Sequence, residues 1–105
     1  MIDVLHICYP GVGGQAAVAT GLAAEAMHAG SRQAIVFYGT EKTAEQYIDL
    51  CETEGIAHKT IVKKPGIGIG ARKKLRAAIN SFDPEVVIAH HPVSYTHLTL
   101  PTKIV

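Results

Sequence analysis

Short, β-branched apolar runs alternate along the chain with longer stretches whose apolar residues recur every three to four positions, the pattern of βαβ units on a parallel sheet. Four runs read as strands: Ile2–Cys8, 33–38, Ala57–Val62 and 85–89. Each is nearly continuously apolar, as strands covered on both faces are. The first helix, over 15–29, is expected to bury Val18, Ala19, Leu22, Ala23, Ala26 and Met27 and to turn Gly21, Glu25 and His28 outward. Gly30 then serves as its C-terminal cap. The second, over 42–53, carries Ala44, Tyr47, Ile48 and Cys51 on one stripe, sets Glu45, Asp49 and Glu52 toward water, and stops at Gly55. The third, over 71–82, buries Leu75, Ala78, Ile79 and Phe82. It ends before Asp83-Pro84 because a residue preceding proline is pushed out of the helical region. The expected fold class is α/β: a Rossmann-like, doubly wound parallel sheet of four strands in order 3-2-1-4 with three helices, truncated after the fourth strand. That strand would form an exposed sheet edge, which invites association.

Composition narrows the picture. A length of 105 residues is about one domain, and 48% hydrophobic with 18% charged residues argues against disorder. The net charge of +1 gives no global field for nucleic acid or membrane, and no nucleic-acid partner is expected. Cys8 in an apolar run and Cys51 on an apolar stripe read as buried reduced thiols rather than a disulfide or metal site. The opening apolar run is too short for a signal core, no basic segment precedes it, and no run reaches the roughly 18 apolar residues of a membrane span. A cytoplasmic location follows as the expectation.

The candidate ligand site is the turn at residues 9–15. Gly11-Val12-Gly13-Gly14-Gln15-Ala16 follows a strand, opens a helix and fits G-x-G-x-x-G/A, so its N–H groups and the positive helix end would attract a phosphate. Gly11, Gly13, Gly14 and Gln15 are the binding candidates. A dinucleotide site also wants an acid at the end of the second strand, where Tyr38-Gly39-Thr40 stands and Glu41 follows. A dinucleotide-binding oxidoreductase domain therefore stays open as an alternative, as does a non-catalytic nucleotide-binding α/β module. No G-x-x-x-x-G-K-[ST] run is present, which sets aside a P-loop triphosphatase.

His90-His91-Pro92 follows the fourth run and should share the sheet edge with the glycine turn, one strand away. Adjacent residues at a strand end point apart, so one imidazole is expected to face the crevice. His90 is the catalytic candidate. Ligation of a metal by both is not expected, because no further ligand cluster supports it. His6, inside the first strand, reads as a satisfied sheet residue, and His28 and His58 read as surface positions. Lys63, Lys64, Arg72, Lys73, Lys74 and Arg76, interleaved with Gly66, Gly68 and Gly70, form the one basic cluster. It would suit an anionic acceptor or peripheral contact with an anionic membrane, though such runs are usually solvated faces.

The run 93–102 (VSYTHLTLPT) is similar to the in-frame translation of a transposon adapter used in preparing sequencing libraries. Residues 93–105 are therefore read as a non-native tail and kept out of functional reasoning.

Residues 1–92 resemble the N-terminal domain of GT-B glycosyltransferases, in particular the retaining family 4 enzymes that use nucleotide-sugar donors. The resemblance is carried by Val4-Leu5-His6-Ile7, by Gly13-Gly14, by Leu22-Ala23-Ala24-Glu25-Ala26 with Ala29-Gly30, by Ile35-Val36-Phe37, and most specifically by Asp83-Pro84-Glu85-Val86-Val87-Ile88-Ala89-His90-His91-Pro92. In the family the position of Ile88 is often a histidine, a departure here. The resemblance implies that Gly13 and Gly14 contact the donor diphosphate and that His90 lines the acceptor or donor sugar pocket. It further implies no metal and no separate cofactor, the nucleotide sugar being substrate, and an acceptor of unspecified class. Most donor-binding residues would lie in a missing C-terminal domain, so the chain alone would be an inactive, acceptor-side half.

Overall fold

The computed structural model of the chain describes residues 2–11, 14–62, 69–90 and 103–104. Its elements are β1 (Ile2–Cys8), α1 (Gly14–His28), β2 (Gln33–Gly39), α2 (Glu45–Glu54), β3 (Ala57–Val62), α3 (Ile69–Phe82), β4 (Pro84–Ala89) and β5 (Lys103–Ile104). The sheet runs β3-β2-β1-β4-β5 with every neighbouring pair parallel. The first four strands thus take the 3-2-1-4 order of a doubly wound α/β fold. The chain starts at the sheet centre, winds outward through β2 and β3, and returns to the other side of β1. The topological switch point lies between β1 and β4, where open α/β sheets bind ligands.

One expectation at the sheet edge is corrected. β4 is not bare, because Val86 and Val87 pair with Lys103 and Ile104 of β5. The run 91–102, which holds His91, Pro92 and the adapter-like segment, lies outside the described residues.

The period-two alternation of the strands divides the core between two faces. Leu5, Ile7, Ala34, Val36, Tyr38 and Val87 meet Ala71, Leu75, Ala78 and Ile79 of α3. On the other face Cys8, Ile35 and Phe37 meet Ala16, Ala19 and Ala23 of α1, with Tyr47 and Cys51 of α2. β2 is buried along its whole length, as a strand covered on both faces must be. β3, at the edge, buries only Ile61 and leaves Ala57, Lys59 and Val62 exposed, so its apolar run does not mark two-sided burial.

Helix α1 buries Ala19 and Ala23 as expected, but Val18 and Leu22 of the expected stripe face outward. Ala16, Ala19, Thr20 and Ala23 are buried, whereas Val18 is 54% and Leu22 51% exposed. Small side chains let the helix axis approach the strands, and the Thr20 hydroxyl satisfies itself inside by donating to the Ala16 carbonyl at 2.7 Å. Helix α2 starts later than residue 42. Thr43 is buried with its hydroxyl 2.7 Å from that of Thr60, and Ala44 is extended, its N–H donating to the Pro10 carbonyl. Those tertiary bonds hold residues 43–44 out of the helix.

The helix ends follow the local chemistry. Gly30 and Gly55 adopt φ of +91° and +71°, and the Ser31 N–H closes back on the Ala26 carbonyl. Asp83 also turns left-handed, at φ +48°, a conformation Asp tolerates better than most residues, and Pro84 after it prevents the helix from continuing. Among the described residues, no helix is long and apolar enough to cross a membrane.

The packing of α1 yields a test by denaturant titration. Ala19→Leu should overpack the helix–sheet contact and cost about 1–3 kcal/mol. Leu22→Gln should change stability by no more than about 0.5 kcal/mol. A large loss at Leu22 would mean that α1 is rotated from this arrangement.

Candidate functional site

Two segments meet at the carboxyl edge of the sheet beside the switch point: the turn after β1 and the residue after β4. The turn is held from three sides. The Tyr9 N–H donates to Gln15 Oε1 at 3.2 Å. The Pro10 carbonyl accepts the Ala44 N–H at 3.2 Å. The Pro10 ring lies so close to the end of β2 that a Cβ on Gly39 would stand 2.6 Å from its Cδ. Gly39, which occupies the place where a dinucleotide fold carries its acid, is thus required by packing against the turn.

The glycines of the turn do different things. Gly11 is buried, and a Cβ there would collide with the Glu41 carboxylate and stand 2.9 Å from the Tyr9 ring. Gly13 lies outside the described residues. Gly14 opens α1, is exposed, and a Cβ on it would meet nothing within 4 Å. Its lack of a side chain serves no contact within the described residues. The first-turn N–H groups of α1 have no carbonyl to bond within the helix, so this end presents donors and the positive end of the helix dipole. Gln15 is exposed, and its carbonyl closes the turn.

His90 is half-buried, and its backbone N–H prolongs the β1–β4 pairing by donating to the Ile7 carbonyl at 2.8 Å. Its imidazole is not isolated. His90 Nε2 lies 3.0 Å from His6 Nδ1, the two rings stacked with centroids 5.2 Å apart and planes 20° from parallel. His6 Nε2 in turn lies 2.7 Å from Gln33 Oε1, and Gln33 Nε2 donates to Ser31 Oγ at 2.8 Å. The register explains the alignment. His6 pairs with Ile88 on one side and Ile35 on the other, so His90 and Gln33, two residues along from these, share its face. The three side chains form a diagonal across β2, β1 and β4.

His6 was read from the sequence as a satisfied sheet residue, and it is one: both ring nitrogens are bonded and the residue is 2% exposed. The missing part of that reading is the identity of its partner. Gln33 was not singled out at all; a polar residue opening a strand that is otherwise apolar and wholly buried was the available signal. Burial holds the His6 imidazole below its ordinary value of 6.5, with the Gln33 carbonyl opposing the shift. His28 is exposed and pairs with Glu54 at 2.7 Å, and His58 is half-buried with Nδ1 3.2 Å from the Ile56 carbonyl. Both lie away from the sheet's carboxyl edge.

Burial pushes the Cys8 and Cys51 thiols up to about 12 and about 11, so both are inert at neutral pH. Of the basic cluster, Arg72, Lys73, Lys74 and Arg76 occupy the exposed face of α3, where the Arg72 charge opposes the upward shift that burial gives Tyr38. Residues 63–68 lie outside the described set. Among the described residues, no group of three or more His, Cys, Asp or Glu side chains is placed to hold a metal ion.

Two measurements check this geometry. Gly39→Ala should cost about 1–3 kcal/mol, because a rigid proline ring must move, while Gly14→Ala should cost nothing. The depressed His6 pKa means that, below 6.5, the unfolded chain takes up a proton that the folded chain resists. The contribution of neutral His6 is thus complete above 6.5 and is lost as the pH falls through the lower folded value. Denaturation midpoints measured downward from neutral pH should fall more steeply for the wild type than for His6→Gln. No family model matches this chain, and no curated protein or solved structure matches it either.

Proposed function

We propose that this chain is the N-terminal, acceptor-side half of a retaining glycosyltransferase that uses a nucleotide-sugar donor. The observation that supports the reading is that α1 opens at Gly14 after β1, and His90 follows β4 with its N–H on the Ile7 carbonyl, so both belong to the carboxyl ends of the two strands that flank the switch point of a 3-2-1-4 sheet. Transfer from a nucleotide sugar develops charge on the departing diphosphate, and fixed N–H donors at a helix start stabilise such charge without reorganising. On this reading His90 would line the acceptor or donor sugar pocket. A second nucleotide-binding domain beyond residue 92 would close the crevice and supply most donor contacts; the chain alone would be inactive. On this reading the protein acts in the cytoplasm, and its acceptor would approach from the His90 side.

A second reading has one specific observation in its favour. The Glu41 carboxylate, two residues after β2, reaches over Gly11, and dinucleotide-binding folds carry their ribose-binding acid near the end of that strand. It would also repel a phosphate from Gly11, which directs a diphosphate toward Gly14.

Ligand-detected binding to the chain separates the two. Uridine and guanosine diphosphates should bind weakly, and Gly14→Ala, which leaves the fold intact, should weaken them about tenfold, or 1.4 kcal/mol. Glu41→Gln should leave that binding unchanged or strengthen it. Binding of a nicotinamide dinucleotide that disappears in Glu41→Gln, without diphosphate binding, would overturn the glycosyltransferase reading in favour of the oxidoreductase. The uninterrupted coding sequence beyond the codon for Pro92 should encode a second α/β domain.

A further inference from the structure

Four large apolar side chains are exposed among the described residues, and one of them, Tyr9 at 37%, stands in the turn at the carboxyl end of β1. Its ring is seated rather than loose. A Cβ on Gly39 would stand 3.0 Å from both Cδ1 and Cε1 of the ring, and a Cβ on Gly11 would stand 2.9 Å from Cε2. The ring is thus lodged between two glycines, one at the end of β2 and one in the turn, each at a distance that any other residue type would forbid. The backbone beneath it is fixed as well, because the Tyr9 N–H donates to Gln15 Oε1 at 3.2 Å. Glu41 stands beside the ring. Its Cδ also lies 2.9 Å from the point where a Gly11 Cβ would be, so the carboxyl carbon and Tyr9 Cε2 are within twice that distance of each other. Among the described residues, neither the Glu41 carboxylate nor the Tyr9 hydroxyl is engaged in a hydrogen bond or ion pair.

We infer that Tyr9 and Glu41 form a subsite for a neutral sugar ring, whose C–H face rests on the tyrosine and whose hydroxyls donate to the carboxylate. The negative face of an aromatic ring attracts the weakly positive C–H groups of a sugar's apolar face. A carboxylate accepts hydrogen bonds and donates none, so it takes hydroxyl hydrogens. A rigidly held aromatic surface with one polar group beside it is also how small-ligand sites combine contact area with a fixed orientation. The same carboxylate repels a phosphate or a second carboxylate. Resting on the sugar-transfer reading, this names the class of acceptor: a neutral carbohydrate that enters past His90, after β4, and sets a ring on Tyr9 at the end of the neighbouring strand β1. An anionic acceptor, which the basic residues of α3 would suit, is not expected at this edge.

Saturation-transfer spectra of the full chain, irradiated at its aromatic protons in the presence of the methyl glycosides of glucose, galactose, mannose and N-acetylglucosamine, test the subsite directly. At least one glycoside should receive saturation at its ring C–H protons. Tyr9→Leu should abolish that transfer, Tyr9→Phe should keep it, and Glu41→Gln should weaken binding about tenfold. No transfer to any of the four, or transfer unchanged in both Tyr9→Leu and Glu41→Gln, would overturn the inference. Should Tyr9→Leu fail to fold, Glu41→Gln, at an exposed position, carries the test by itself. A 6-phosphate that binds better than its parent sugar would overturn the neutral acceptor. Transfer to the adenosine ribose of a nicotinamide dinucleotide, with none to a glycoside, would give the subsite to the oxidoreductase and overturn the acceptor assignment. Diphosphate binding that depends on Gly14, without glycoside binding, would end the subsite and leave the sugar-transfer reading standing. Glycoside binding lost in Tyr9→Leu, without diphosphate binding, would do the reverse.

Discussion

Burying an imidazole in the central strand of a parallel sheet is the constraint around which the described structure is arranged. His6 has neighbours on both sides and a helix above, so water cannot serve its nitrogens, and an unmet polar atom at such depth is costly. The two adjacent strands must each send a polar side chain to the same face, and the register delivers Gln33 from one and His90 from the other. What would otherwise be a liability in the core becomes a contact to a side chain at the sheet's carboxyl edge. The same burial holds the His6 imidazole below its ordinary value, which favours its neutral form.

The other half of the site depends on close approach. Alanines and Thr20 bring α1 down onto β1 and β2, and Gly39 admits the Pro10 ring at the end of β2. The described part of the turn after β1, residues 9–11, is consequently supported by Gln15, Ala44 and the end of β2. Gly14 is the one described glycine of that turn whose missing side chain leaves open space, while Gly11 is roofed by Tyr9 and Glu41. Gly11 and Gly14, equivalent as letters of one motif, have separate surroundings in the folded chain.

The strands and helix ends were legible in the sequence because each rests on local chemistry: β-branched runs, Gly30 and Gly55 as caps, and proline after Asp83. The face of α1 was not legible. Its residues are so largely small or apolar that periodicity defines no single stripe, and helix–sheet distance, a tertiary quantity, chose the alanines over Val18 and Leu22. The start of α2 was missed for a similar reason, since the bonds that hold Thr43 and Ala44 extended come from Thr60 and Pro10. At the candidate site, the placement of the glycine turn and His90 at the carboxyl ends of neighbouring strands followed from strand order alone. The role of His6 and the existence of Gln33's contribution did not, because both depend on register across three strands, which no single run of residues encodes.

The polar diagonal has a consequence for assembly of the sheet itself. β1 and β2 are apolar along most of their length, and apolar strands tolerate slipped pairings that still bury oily side chains. Gln33 stands opposite Val4 and His6 opposite Ile35, so a two-residue slip that set His6 against Phe37 would keep every face correct and yet part His6 from Gln33, leaving an imidazole and a carboxamide stranded in the core. The pair therefore acts as a registration mark between the first two strands, penalising the misaligned sheets that hydrophobicity alone would accept.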